Sequence, residues 1–248
     1  MKLTRVFAPI FAALMLCSCS TPEPLFKFEN YNYDNNNKKR PFTVDYYYIT
    51  IANASRSKAL QAIEESLRYE FFQLEGQLPS SLKRTFDLGA AQFRSESGYD
   101  ELDIDIGCTL YVDSEVKVID RTLTYTIQGY KYTGGFHGLG WCTGLNYDID
   151  SGKQLALHDV LSDAQLEALP DIMRKQLCAD KGIFEGDTFE NLTNLGYYPN
   201  EILPTENFRL TIHGIEFIFN PYEIAAYHLG ITTILIPYTK LDEIATNN

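Results

Sequence analysis

The run Thr126–Leu157, T-I-Q-G-Y-K-Y-T-G-G-F-H-G-L-G-W-C-T-G-L-N-Y-D-I-D-S-G-K-Q-L-A-L, constrains the fold most, because strand signals, turn signals and the single Trp fall together in it. Tyr130 and Tyr132 alternate with Gly129, Lys131 and Thr133, and Leu145, Tyr147 and Ile149 alternate with polar residues. This period of two places a strand on each side of the break Gly134–Gly140. Gly134, Gly135, Gly138 and Gly140 cost backbone entropy and pack no side chain, so the break requires positive φ angles or close approach by another group. That group is either a ligand or a crossing strand. In the ligand case Tyr132, Gly134, Gly135, Phe136, His137 and Trp141 are the candidate contacts.

The N-terminus gives an address. Lys2 and Arg5 precede the apolar run Val6–Leu16, too short for a spanning helix of about 20 residues and of the length of a signal-peptide core. It closes in L-C-S-C, where Leu16, Ser18 and Cys19 fit a bacterial lipobox, with Cys19 the residue to be acylated. We therefore expect a signal peptide over 1–18 and a lipid-anchored protein of the bacterial cell envelope, periplasmic or surface-exposed. The membrane is then contacted through the anchor only. Residues 19–41, rich in Asn, Pro, Lys and Glu, read as a flexible tether.

The formal net charge is −12, and loss of Lys2 and Arg5 with the signal makes it more negative by two. Phosphate neutralisation needs a basic face, so nucleic acid is not an expected partner. An acidic surface favours a cationic partner, although it also serves solubility alone. Cys108, Cys142 and Cys178 remain besides Cys19; Cys108 and Cys142 either bridge or stay as buried thiols.

Phe42–Asn53 is dense in aromatic and β-branched residues and reads as a strand. Ser57–Leu78 carries Leu60, Ile63, Leu67, Phe71, Leu74 and Leu78 on one helical face, closed by Pro79, and Ser80–Ser95 is a second helix. Leu110–Ile119 and Leu123–Thr133 form a hairpin about Asp120 and Arg121, Cys142–Asp150 continues the meander, and Asp150-Ser151-Gly152 is a turn. Ser162 and Gln165 spell a capping box before a helix that reaches Gly182, with Pro170 either kinking or dividing it. Ala179–Asn207 reads as a long connection, Phe208–Asn220 as a hairpin turning at His213-Gly214, Ile231–Ile236 as a buried strand and Leu241–Ala245 as a last helical turn. The expected class is α+β: an antiparallel β-meander sheet with helices packed on one face, in two halves, 42–158 and 159–248, that share one sheet or a broad interface.

Two blocks carry a family resemblance. Y-K-Y-T-G-G-F-H-G with N-Y-D-I-D-S-G-K-Q-L-A-L-H-D-V-L, and F-R-L-T-I-H-G-I-E-F-I-F-N-P-Y-E-I-A-A-Y-H-L-G-I-T-T-I-L-I-P-Y, resemble segments of the RsiV-like family of extracytoplasmic domains. The resemblance runs from about Phe42 to Ile244. It implies an envelope location and a binding role, since such domains form the lysozyme-binding sensor of an anti-sigma factor, precede the catalytic unit of some polysaccharide deacetylases and occur in lipoproteins of unknown role. No second spanning segment and no deacetylase unit is read here, so neither signalling nor deacetylation is carried over.

Catalytic patterns are missing: there is no G-x-S-x-G, H-E-x-x-H, C-x-x-C or phosphate loop, and His137, His158, His213 and His228 stand apart. No catalytic residue, metal site or cofactor is assigned. The acids Asp100, Glu101, Asp103 and Asp105, and Asp148 with Asp150, lack the spacing of a calcium loop. His137 either reaches a ligand or fixes its own loop. Glu223 is either an acid with its pKa raised by apolar neighbours or a tie for turn amides. The expected function is a non-catalytic binding lipoprotein taking cell-wall glycan or a basic envelope protein such as lysozyme; the alternative is an envelope glycan hydrolase or deacetylase with an unrecognised site.

Overall fold

The structure, a computed structural model, describes residues 21–74, 76–101 and 106–246. The signal peptide, Cys19, Asp103 and Asp105 lie outside the described residues. The strands are β1 (Phe26–Asp34), β2 (Phe42–Ile51), β3 (Cys108–Ile119), β4 (Thr122–Tyr132), β5 (Leu139–Asp148), β6 (Phe208–Leu210), β7 (Gly214–Phe219) and β8 (Thr232–Pro237). The helices are α1 (Lys58–Phe72), α2 (Leu82–Glu96), α3 (Leu157–Val160), α4 (Asp163–Asp180), α5 (Thr188–Asn194) and α6 (Tyr238–Thr246). The class is α+β, with two sheets: β1-β2-β3-β4-β5 and β6-β7-β8.

The first sheet departs from a pure meander at one place. β2 pairs with β3 in parallel, while its other pairings are antiparallel. The reason lies in the connection: α1 and α2 intervene, and a crossover that packs helices on a sheet returns the chain in the same direction. β1 corrects a second expectation. F-K-F-E-N-Y-N-Y-D, read as part of the tether, pairs along β2 from Phe26↔Ile51 to Asp34↔Thr43. Its side chains stay largely exposed, so an edge strand here resembles a polar spacer in composition.

α1 starts at Ser57, whose side chain accepts from Ala59 N, and ends when Gln73 adopts φ 47°. It therefore stops short of Pro79, because the left-handed Gln73 redirects the chain just after Phe71 and Phe72 have reached the core. With α2 it covers one face of the first sheet, where Phe42, Tyr46 and Tyr48 interlock with Phe71, Phe72, Phe86 and Phe93. Glu64 reaches from α1 to β2, accepting from Tyr48 Oη, Thr50 Oγ1 and Ile51 N at 3.0, 2.7 and 2.7 Å. The β3–β4 hairpin turns at Asp120, φ 52°, and Arg121, as its two-residue spacing requires.

The second core gathers on the other sheet. Ser162 and Gln165 form the capping box of α4, which runs unbroken through Pro170. Leu169, Met173 and Leu177 of α4 meet Ile215, Phe217, Phe219, Ile234 and Ile236. Buried Arg174 donates to the carbonyls of Pro199 and Ile202, fixing the connection in which α5 lies. The expected Phe208–Ile212 strand is shorter, because Thr211 Oγ1 accepts from His213 N and Gly214 N and turns the chain early.

The two sheets are stitched by asparagines. Asn146, 1% exposed, accepts from Thr124 Oγ1 and Leu210 N at 3.0 and 2.9 Å and donates to Phe208 O at 2.9 Å. Asn207 and Asn220 occupy the free edge of β5: Asn207 pairs with Gly144 N and Cys142 O, and Asn220 Oδ1 with Cys142 N. They do for that edge what a sixth strand would do. The halves thus meet through an interface between separate sheets, not within one sheet. Gly144 permits the approach, since a Cβ there would stand 2.4 Å from Phe208 O. Cys108, Cys142 and Cys178 are free and buried. Cys108 lies in the first core, whereas Cys142 turns to the opposite face two strands away, so the bridge considered above does not form.

Candidate ligand-binding site

The β4–β5 loop separates the demands on its glycines. Gly134 takes φ +93°, and a Cβ on Gly138 would stand 2.3 Å from the Tyr130 ring. Gly135 and Gly140 face no comparable demand. A packed ring and a positive φ therefore explain the two constrained positions, and no crossing strand meets them among the described residues. Tyr132 Oη donates to Gly135 O at 3.1 Å and closes the loop.

At the loop tip the rings collect. Phe136 is fully exposed. His137 stacks on Tyr227 at 3.9 Å between centroids and 26°, and Tyr222 lies 5.5 Å from Tyr227. Both His137 Nδ1, at 3.0 Å, and Tyr227 Oη, at 2.5 Å, bond Gly138 O. A carbonyl only accepts, so Nδ1 carries the proton and Nε2 is left to meet solvent or a ligand. Tyr222 holds φ +75° at the third position of the turn Asn220–Glu223, after Pro221, where glycine is the usual residue. A bulky residue kept at such a φ costs on the order of 1–3 kcal/mol and points to a use for its ring.

Trp141 leaves this group. It packs against the first core, on the helix side of the sheet, where a Cβ on Gly129 would stand 2.0 Å from its ring. The six candidates therefore divide: Tyr132, Gly134, Gly135, Phe136 and His137 belong to one loop, and Trp141 is a packing residue. Glu223 is exposed and its carboxylate accepts from Asn220 N at 2.7 Å, so it ties the turn. It makes no hydrogen bond with His137, and an acid-base pair is not assembled.

A cleft of about 550 Å³ opens between the sheets, lined by Glu115, Lys117, Thr124 and Thr126 on one side and Arg209, Ile212, His213, Glu216 and Leu235 on the other. Its size and mixed lining suit a ligand. Arg209 and Glu216 are cross-strand partners joined by an ion pair, half-buried at the cleft wall. Sequence reading passed over them; the visible signal was one opposite charge on each strand of an otherwise apolar hairpin. Burial pushes the neighbouring Cys142 thiol up, which keeps it protonated and unreactive at neutral pH. Of the acids considered for calcium, Asp100 pairs with Arg94, Asp150 with Arg121, and Asp148 accepts from Ser151. No group of three or more His, Cys, Asp or Glu able to hold a metal occurs among the described residues, and no helix among them is long and apolar enough to cross a membrane.

The second core, with the turn that carries Tyr222 and Tyr227, decides the family match. Residues 158–239 match the DUF3298 family, described as a protein of unknown function. The chain is 31% identical over 190 residues to the peptidoglycan-N-acetylmuramic acid deacetylase PdaC of Bacillus subtilis (strain 168). That alignment covers 72% of this chain and 38% of the relative, so the chain spans well under half the length of the curated relative it matches. Crystal structures of two DUF3298 family proteins share the fold. One, from Bacteroides fragilis NCTC 9343, has a TM-score of 0.75 at 25% identity; the other, from Pseudomonas aeruginosa PAO1, has 0.65 at 18%. Each likeness covers 90% of this chain and 94% of the other, so both cores belong to the shared architecture. The family model and the two solved structures carry the DUF3298 description and not the RsiV-like name.

Proposed function

We propose that this protein is a lipid-anchored binding module of the bacterial cell envelope whose ligand is cell-wall glycan, held at the rings of Phe136, His137, Tyr222 and Tyr227. The observation that carries it is the three-ring stack of His137, Tyr227 and Tyr222 beside a fully exposed Phe136. Aromatic faces pack against the C–H faces of pyranose rings, and His137 Nε2 supplies one polar contact. The name of the peptidoglycan deacetylase relative supports the ligand class, and the chain's short span of that protein keeps its activity out of the proposal. A non-catalytic role is favoured because Glu223 is engaged in its turn and His137 has no carboxylate in hydrogen-bond contact.

Two measurements test this. Sedimentation with purified peptidoglycan should retain the wild-type protein and lose Phe136→Ala and His137→Ala, each checked to be folded; wild-type retention of both variants would remove the site. Labelled fatty acid should enter the protein in the bacterium and be lost with Cys19→Ala but not with Cys17→Ala. Labelling that survives Cys19→Ala removes the anchor. A basic lysozyme belongs in the same assay, since the acidic surface suits it: loss of lysozyme binding alone in the loop variants would transfer the site to that partner.

A further inference from the structure

We propose a second glycan-contact surface, on the face of the first sheet opposite α1 and α2, built on a row of rings that runs across its strands. It rests on the glycan reading above but on different residues. Phe28 of β1 stacks on Tyr47 of β2 at 6.0 Å and 26°, Tyr47 meets Tyr111 of β3 at 5.5 Å, and Tyr111 stands opposite Tyr130 of β4 in the register. Phe28, Tyr111 and Tyr130 are exposed. Strands lie about 4.8 Å apart, so four of them carry the rings over roughly 14 Å. The second sheet packs against β4 and β5, which leaves the row open among the described residues.

The polar groups beside the rings set the chemistry. Asn32 Nδ2 bonds both Asp45 Oδ1, at 2.9 Å, and Tyr47 Oη, at 3.3 Å, and Asp113 Oδ2 accepts from Tyr111 Oη at 3.2 Å. Beyond Tyr111 a depression of about 320 Å³ is lined by Asp113, Ser114, Glu115 and Gln128. Ionised carboxylates only accept, so an occupant must bring hydroxyl, N–H or ammonium donors. A polyanion is repelled here, because the lysine of this face, Lys117, is already paired with Glu115 at 3.0 Å. Glu115 also lines the inter-sheet cleft, so depression and cleft adjoin at this side chain. Ring faces and acceptor flanks fit a strand of β-linked hexosamine units. Cross-strand pairing accounts for each ring contact singly. It does not account for three exposed rings, linked through the half-buried Tyr47, in line with an acceptor-lined depression.

The test uses the full-length chain and three defined hexamers: chitohexaose, its fully de-N-acetylated form, and hexagalacturonic acid, titrated by calorimetry. The first two should bind, the amine form more strongly and with greater salt sensitivity, and the polyanion should not. Tyr47→Thr and Tyr111→Thr keep strand propensity and should weaken binding at least tenfold, whereas Tyr47→Phe and Tyr111→Phe keep the ring, guard against loss of fold, and should stay within threefold. Wild-type affinity in folded Thr variants, equally weak binding by Phe and Thr variants, or binding of the polyanion as tight as that of chitohexaose overturns the proposal. Phe136→Ala separates the two surfaces. If it abolishes peptidoglycan retention while Tyr111→Thr leaves hexamer binding intact, the loop site holds and the sheet-face site falls; the opposite pattern removes the loop and keeps the face. Hexamers that fail to bind wild type, or lysozyme binding as the only property lost in the Thr variants, also overturn the sheet-face site.

Discussion

Asn146→Ala should cut the seam between the two sheets. The side chain is 1% exposed and makes three hydrogen bonds, to Thr124 Oγ1, Leu210 N and Phe208 O, two of them to the backbone of the opposite sheet. Each such bond is worth about 1 kcal/mol net, and a buried group left without a partner costs about 1–3 kcal/mol. Thr124 Oγ1 retains Leu210 O at 3.2 Å, so the stranded groups are Leu210 N–H and Phe208 C=O. The expected loss is therefore about 3–5 kcal/mol, a large part of the ~5–15 kcal/mol that holds a typical domain. At about 2–4 °C per kcal/mol for a chain of this size, Tm should fall by roughly 6–20 °C. Urea unfolding followed by Trp141 fluorescence reports the first core, and far-ultraviolet circular dichroism reports both. The two curves should coincide in the wild type and separate in Asn146→Ala, with the second core melting first. A loss below about 1 kcal/mol with coincident curves would refute the asparagine seam as the link between the sheets.

Two further outcomes follow from single side chains. Burial holds the Glu64 carboxyl above the usual carboxylate range, against the bonds from Ile51 N, Thr50 and Tyr48 that pull it down; a folded-state pKa above the unfolded ~4.3 means its contribution is full below that value and is lost as pH rises through the folded value. Glu64→Gln, neutral throughout, should therefore gain stability relative to wild type between pH 4 and pH 7 in urea melts, and a gap that stays constant with pH would contradict the assignment. Tyr222→Gly releases a backbone held at φ +75° and should melt higher than Tyr222→Ala, which keeps the strain and lacks the ring, by about 1 kcal/mol. Both variants should bind peptidoglycan more weakly than wild type, and an Ala variant more stable than Gly would refute the turn argument.

What the sequence disclosed and what it hid divide along physical lines. Leu60, Ile63 and Leu67 marked α1 because helical spacing is local, and Ser162 with Gln165 marked the start of α4 because a capping box is contained in four residues. The hairpin at Asp120 was equally local. β1 was hidden because an edge strand with one protected flank needs no apolar face, and its asparagines gave it the composition of a linker. The parallel β2–β3 pairing and the division into two sheets are long-range facts with no local period. The same holds for the candidate site. His137 and Phe136 were legible from the glycine break, but their partner Tyr227 lies 90 residues away in sequence from His137, and only the fold brings the rings together. Trp141 was misplaced because period two assigns alternate faces without saying which face the helices cover.

The shared architecture bears on where a ligand acts. The family match over 158–239 begins at the second core and includes Asn207, Asn220, Tyr222 and Tyr227, while Asn146, Phe136 and His137 lie before it. Yet the seam and the ring stack each need both sides: Asn146 binds backbone of β6, Asn207 and Asn220 bind backbone of β5, and Tyr227 donates to Gly138 O in the loop that carries His137. A second core without the first would lose the partners of its asparagines and half of its ring stack. The likeness of two solved structures over 90% of this chain agrees with that dependence. The β4–β5 loop is thus held from its far side by Tyr227, and a ligand that presses on the stack of His137, Tyr227 and Tyr222 acts directly on the contact between the two cores. Binding there should tighten the seam, so a glycan that occupies the loop should bring the separated unfolding curves of Asn146→Ala closer together.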